Sequence, residues 1–173
     1  MNFLISQILG IVVTILVIIS MQVKNIRYAL AINLICNILG ALSYIFTGGI
    51  SGTGIYAIAV FQCIVYFQYS KKNIKAPNFL KWIFVAAYLI CSVTTYKNYY
   101  DILSAVAAIT CAFALSQEEA SKYRVFMVVN GILWMTYDVF VGAYTMIISH
   151  GIALIAAVVG IIRLDLKRIT NKQ

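Results

Sequence analysis

Seven apolar runs, each close to the thickness of a bilayer and divided by only a few polar residues, take up nearly all of this chain. They cover residues 3–21, 26–46, 52–70, 79–95, 99–116, 123–141 and 143–162. A helix needs about 20 mostly apolar residues to cross the hydrocarbon core of a membrane. The 173 residues therefore hold seven spans at most, with almost nothing left for a domain outside the bilayer. With 63% hydrophobic and 10% charged residues, a soluble globule of ordinary make-up is excluded. Any function has to reside within the helices themselves.

Threading the chain through seven spans sorts its charges. Lys24 and Arg27 fall on one side, followed by Lys71, Lys72, Lys75 and Lys81, then Lys122 and Arg124, then Arg163, Lys167, Arg168 and Lys172. Of the 13 basic residues only Lys97 falls on the other side. Basic loops stay in the cytoplasm, so the N-terminus is expected outside and the basic tail inside. One span more or fewer would scramble this sorting. The net charge of +8 is spread over every cytoplasmic loop rather than gathered on one surface. That pattern suits topology and anionic lipid, and no nucleic-acid partner is expected.

The first run lacks a basic leader and a small-residue cleavage site, which points to a retained helix. Cys36, Cys63, Cys91 and Cys111 lie singly inside the runs with no Cys-x-x-Cys spacing, and the chain has one histidine. No metal site is expected, and no cofactor. There is no phosphate loop, no nucleophile grouped with a base, and no paired carboxylate within the spans, so an enzyme is not expected. Glu118 and Glu119 fall in a turn where they favour the start of the sixth span. Gln22 and Gln117 mark span ends, with no chemistry assigned to them.

The chain repeats itself. Asn37, Ser43, Tyr44 and Gly49 recur as Asn130, Thr136, Tyr137 and Gly142, a constant shift of 93. Each copy sits on the second helix of a group of three. Four spans separate the copies, so both run the same way, as expected for two bundles related by an axis along the membrane normal. The fourth span restores that orientation. Its preceding stretch, Ser70 to Asn78, is the longest polar segment and holds the single proline, Pro77. The expected organisation is a first three-helix bundle over 1–70, a linker and linker helix over 71–97, a second bundle over 98–165 and a basic tail over 166–173. The fold class is an all-α membrane protein with seven transmembrane helices in a 3+1+3 parallel repeat, N-terminus out and C-terminus in.

This layout resembles the SWEET, PQ-loop and PnuC class of transporters. The run containing Asn130, Trp134 and Tyr137 is similar to the Asn-x-x-x-Trp-x-x-Tyr pattern on the second bundle helix of SWEETs; in the first copy Asn37 and Tyr44 match while Ala41 takes the tryptophan position. Gln62 and Tyr66 resemble a Gln and Tyr near the end of the third helix. In size and near-absent loops the chain is most similar to the YgjV-type bacterial inner-membrane proteins. Sugar-facilitating relatives place a hinge proline in each bundle and an asparagine pair on the third helices. Here the corresponding stretches read Ile50-Ser-Gly-Thr-Gly54 and Ile147-Ile-Ser149-His150-Gly151.

Polar groups inside a bilayer face the helix bundle and seek partners there. Trp134 and His150 lie at a shared level, each roughly 10 Å from the outer end of its span at 1.5 Å per residue. Asn130, Trp134, Tyr137 and Asp138 fall on one helix face. Such a face offers a stacking ring, an amide and a carboxylate, which suit a small polar or cationic ligand with a ring-shaped body. Each residue also has a plainer reading. The aromatics can be packing residues, the asparagines glue between helices, Asp138 a solvated surface group, and His150 its hydrogen-bond partner across the hairpin. The functional alternative for His150 is a proton-sensitive gate.

The expected function is a small-molecule transporter or facilitator whose central site is lined by Asn37, Tyr44, Asn130, Trp134, Tyr137 and His150, with Asp138 selecting charge. With few acids in the spans, facilitated diffusion is favoured over ion coupling. The alternative is a non-transporting receptor or accessory protein. The expected partners are a small-molecule substrate and the lipid bilayer, and assembly into a homo-oligomer stays open.

Overall fold

A computed structural model describes residues 2–47, 50–96, 98–141 and 144–166, apart from the side chains of 2–4, 6–7, 44, 47, 50–52, 141, 144–146 and 166. All regular structure among them is helical: α1 (Asn2–Gln22), α2 (Ile26–Thr47), α3 (Ile50–Lys71), α4 (Asn78–Thr94), α5 (Asp101–Leu115), α6 (Ala120–Val141) and α7 (Tyr144–Gly160). A π-helical turn, Ile161–Leu166, continues α7. Every helix end falls within three residues of its expected place.

Local chemistry explains the breaks. Asn73 has φ 55, a left-handed conformation that asparagine tolerates, and it turns the chain out of α3. Pro77, with ψ 138, stands immediately before α4 and cannot extend the helix backwards. At the other end of α4 the backbone N–H of Thr95 donates to the Cys91 carbonyl and that of Tyr96 to the Val93 carbonyl, which closes the last turn.

Among the described residues two stretches, Ile26–Ser43 and Ile147–Asp165, are long and apolar enough by themselves to cross a membrane, whereas Ile8–Gln22, Asn78–Thr94 and Asp101–Leu115 are apolar but shorter. The remaining helices, α3 and α6, carry polar side chains such as Gln62, Asn130 and Asp138, which lower their mean hydropathy.

The packing follows from these polar and small residues. α2 packs between α1 and α3, α6 packs between α5 and α7, and the two sets meet where α1 touches α7, α3 touches α5 and α2 touches α6. α4 lies against α3 and α5. Side chains are distributed opposite to a water-soluble protein. Ala29, Ala59, Ala107, Ala108, Ala112, Ala114, Ala156 and Ala157 are buried together with Ser20, Asn33, Asn37, Gln62 and Asn130. Large apolar side chains point outward instead: Ile11, Phe61, Ile90, Val93, Val139, Ile148 and Ile155 are each more than 60% exposed. In water so extensive an apolar surface would be unsustainable. Lipid is as apolar as isoleucine, so helices there associate through small residues and interhelical hydrogen bonds.

Glycine permits the closest approach. A Cβ on Gly160 would stand 2.5 Å from the Met21 carbonyl oxygen and 2.9 Å from Cδ of Arg124, so α7 rests directly on the end of α1.

Candidate functional site

Four of the seven expected site residues come together between the end of α6 and the first half of α7. A full turn separates Trp134 from Asp138, and Tyr137 lies between them, so helical geometry puts all three near one face. The α6–α7 hairpin then brings His150 back to the same level. Its ring stacks on Trp134 with centroids 5.8 Å apart and planes inclined by 17°. Tyr137 meets Trp134 edge-on, centroids 5.7 Å apart. Beside this aromatic layer, His150 Nδ1 lies 2.6 Å from Asp138 Oδ2.

That contact is short enough for a charge-assisted hydrogen bond. Asp138 is 4% exposed, so it is not the solvated surface group of the plainer reading but a buried carboxylate with the imidazole as its partner. A carboxylate only accepts, hence Nδ1 carries the hydrogen and Nε2 is directed away from the pair. α5 closes one flank. The Tyr137 hydroxyl donates to Asp101 Oδ1 at 3.4 Å, and the second oxygen of Asp101 accepts from the backbone N–H of Asn98 at 2.8 Å. Tyr100 packs on both Tyr137 and Phe140. Asp101 and Tyr100 are not among the residues expected at the site, because nothing in their spacing ties them to α6.

The asparagines sit elsewhere. Asn130 is buried and donates from Nδ2 to the Ala107 carbonyl of α5 at 2.6 Å. Asn37 is buried and points its Nδ2 at Cys63 Sγ of α3, 3.4 Å away. Each amide ties its helix to a neighbour in the same set of three, which is the glue role. Tyr44 lies on α2, and its side chain is outside the described residues.

A second polar cluster, unforeseen in the sequence, sits at the opposite end of α6. Arg124, 2% exposed in its side chain, forms a two-pronged pair with Asp165 in the π-helical turn, Nε to Oδ2 at 3.0 Å and Nη2 to Oδ1 at 2.5 Å. Its Nη1 donates to the carbonyls of Val23 at 2.8 Å and Met21 at 3.4 Å, capping the end of α1. Beside it Gln22, assigned no role from sequence, donates to the Ala156 carbonyl of α7 at 2.9 Å. Further in, the Tyr123 hydroxyl accepts from Asn33 of α2 and also bonds Ser20 of α1. Gln62 of α3 donates to the Ala112 carbonyl of α5 at 2.8 Å. One available signal was Asp165, the single acid amid Arg163, Lys167 and Arg168.

No group of three or more metal-ligating side chains occurs among the described residues. The arrangement at α6–α7 supplies a ring surface beside a carboxylate–imidazole hydrogen bond, which can hold a ring-bearing polar molecule or hand a proton between imidazole and carboxylate. Against known proteins, residues 4–168 match a family model, Imp-YgjV, described as a bacterial inner membrane protein. No curated protein and no solved structure matches the chain.

Proposed function

The chain belongs to the Imp-YgjV family of bacterial inner membrane proteins, and from that premise we propose that it is a small-molecule transporter or facilitator. It takes a small polar or cationic metabolite carrying a ring. The observation that carries this reading is the contact of buried Asp138 with His150, whose ring stacks on Trp134. Ionisable side chains within membrane helices are costly and mark substrate or ion pathways.

The order of helix contacts supports two equivalent halves. If α1, α2 and α3 correspond to α5, α6 and α7, the α1–α7 contact maps onto the α3–α5 contact, and the α2–α6 contact maps onto itself. Those are the relations of a two-fold axis, with α4 as the connector that keeps both halves parallel. Under the positive-inside rule the N-terminus faces outward and the Arg124 end faces the cytoplasm. Substrate enters between the halves, its ring packs against the stacked Trp134–His150 pair and Asp138 selects its charge, while the halves rock about it.

A thermal-shift screen of purified protein against sugars, vitamins, nucleosides, amino acids and organic cations tests this, repeated on Trp134→Ala. A compound that stabilises the wild type and leaves the variant unmoved supports the site. Equal stabilisation of both proteins would place binding elsewhere.

A further inference from the structure

A cleft of about 190 Å³ opens at the far ends of α5 and α6 from the Asp138–His150 pair, between the start of α4 and the turn joining α5 to α6. Tyr66 and Ser116 line its inner part, and three ammonium groups, Lys75, Lys81 and Lys122, surround it with two carboxylates. Both carboxylates are engaged: Lys75 Nζ is 3.8 Å from Glu118 and Lys122 Nζ is 3.1 Å from Glu119. Lys81 has no carboxylate partner among the described residues. Its ammonium stands instead over the rings of Phe113, 5.2 Å from the centroid, and Trp82, 5.8 Å.

Lys81 is half-buried and lies one turn into α4, where the converging backbone dipoles already disfavour a cation. Pro77 brings no side-chain acceptor to that end of the helix. The cleft thus holds one uncompensated positive charge, fixed in place by two aromatic rings. Its setting identifies the anion. Phe79, Trp82 and Ile83 on the same stretch of α4 are 61%, 58% and 54% exposed, and aromatic side chains so placed sit at the membrane–water interface. The cleft therefore opens at the level of lipid phosphates, next to an apolar ledge that suits acyl chains.

We propose that this cleft is a binding site for an anionic phospholipid, with the phosphodiester at Lys81 and the acyl chains along Phe79 and Trp82. One spare positive charge meets the one negative charge of a phosphodiester. The quaternary ammonium of a zwitterionic headgroup is disfavoured there, because it adds a cation beside Lys75 and Lys122 while Glu118 and Glu119 are already paired. The site is separate from the α6–α7 cluster and does not depend on the transport reading.

Native mass spectrometry of the detergent-purified full chain tests this, with dioleoylphosphatidylglycerol and dioleoylphosphatidylcholine titrated in parallel. The expected result is one tightly held phosphatidylglycerol, bound at least fivefold more strongly than phosphatidylcholine. Lys81→Gln loses that preference, Lys81→Arg keeps it, and Lys24→Gln in the α1–α2 connection leaves it unchanged. The soluble headgroup glycerophosphoglycerol and inorganic phosphate are expected not to compete at equal concentration. Equal losses in Lys81→Gln and Lys24→Gln would show diffuse attraction to charge and overturn the site. Full competition by the soluble anions would overturn its assignment to a lipid, and failure of Lys81→Arg to bind would show that Lys81→Gln acted through the fold.

Discussion

Replacing Arg124 by methionine is expected to destabilise the protein by about 3 kcal/mol. The guanidinium makes two hydrogen bonds to Asp165 and two to the carbonyls of Met21 and Val23, and so joins α6, the π-helical turn and the end of α1. Breaking a buried ion pair from one side costs about 3–5 kcal/mol, because the remaining charge is left uncompensated. Asp165 keeps 18% of its side chain exposed and relaxes toward solvent, which selects the lower end of that range. Removing both charges, in Arg124→Met with Asp165→Leu, leaves no stranded carboxylate. The double variant should recover at least half of the loss, giving a coupling of more than about 1 kcal/mol. Lys122→Met, two residues away and exposed, should move stability by less than about 0.5 kcal/mol. Denaturant unfolding in detergent micelles, followed by tryptophan fluorescence, reads the wild type, these three variants and the single Asp165→Leu variant that completes the cycle. A loss below about 1 kcal/mol in Arg124→Met, or strict additivity in the double variant, would refute the reasoning.

Other consequences are more local. Gly160→Ala pushes a methyl group against the Met21 carbonyl and should cost about 1–3 kcal/mol, while Gly10→Ala, with nothing within 4 Å of the new Cβ, should be neutral or gain about 0.5–1 kcal/mol; thermal unfolding compares the two. Gln62→Met removes one interhelical bond, worth about 0.6 kcal/mol, together with a buried amide oxygen that has no partner among the described residues. The Ala112 carbonyl keeps its bond from the Ser116 N–H, so the melting temperature should barely change. A large drop would mean that the amide is essential to the α3–α5 contact. Exchange of substrate across vesicle membranes should proceed without an imposed pH gradient, and uptake that requires one would show that the Asp138–His150 pair carries a coupled proton.

The helices were legible because lipid leaves the chain few choices. An apolar run of sufficient length in a bilayer forms a helix to satisfy its own backbone, and the charges between runs mark the ends. For α4, expected over 79–95 and observed as Asn78–Thr94, Pro77 gave the boundary away. The Trp134, Tyr137 and Asp138 face was legible from helical spacing, and the short hairpin brought His150 to its level. Contacts between helices distant in sequence were hidden. Arg124 reads in the sequence as one more topogenic charge, and only the approach of α1 and α7 across Gly160 makes it a buried clamp. Asn37 and Asn130 match in the repeat, yet one turns to α3 and the other to α5, because a shared position does not fix which neighbour an amide reaches.

Efflux from proteoliposomes tests the transport reading most directly. Vesicles holding purified protein are loaded with a defined mixture of sugars, vitamins, nucleosides, amino acids and organic cations, and the retained compounds are measured by mass spectrometry. Protein-free vesicles and vesicles carrying Trp134→Ala serve as references. One ring-bearing class should be depleted from the wild-type vesicles and retained in both references. Retention of every compound by the wild type, alongside a ligand that stabilises it, would contradict transport and make the protein a receptor.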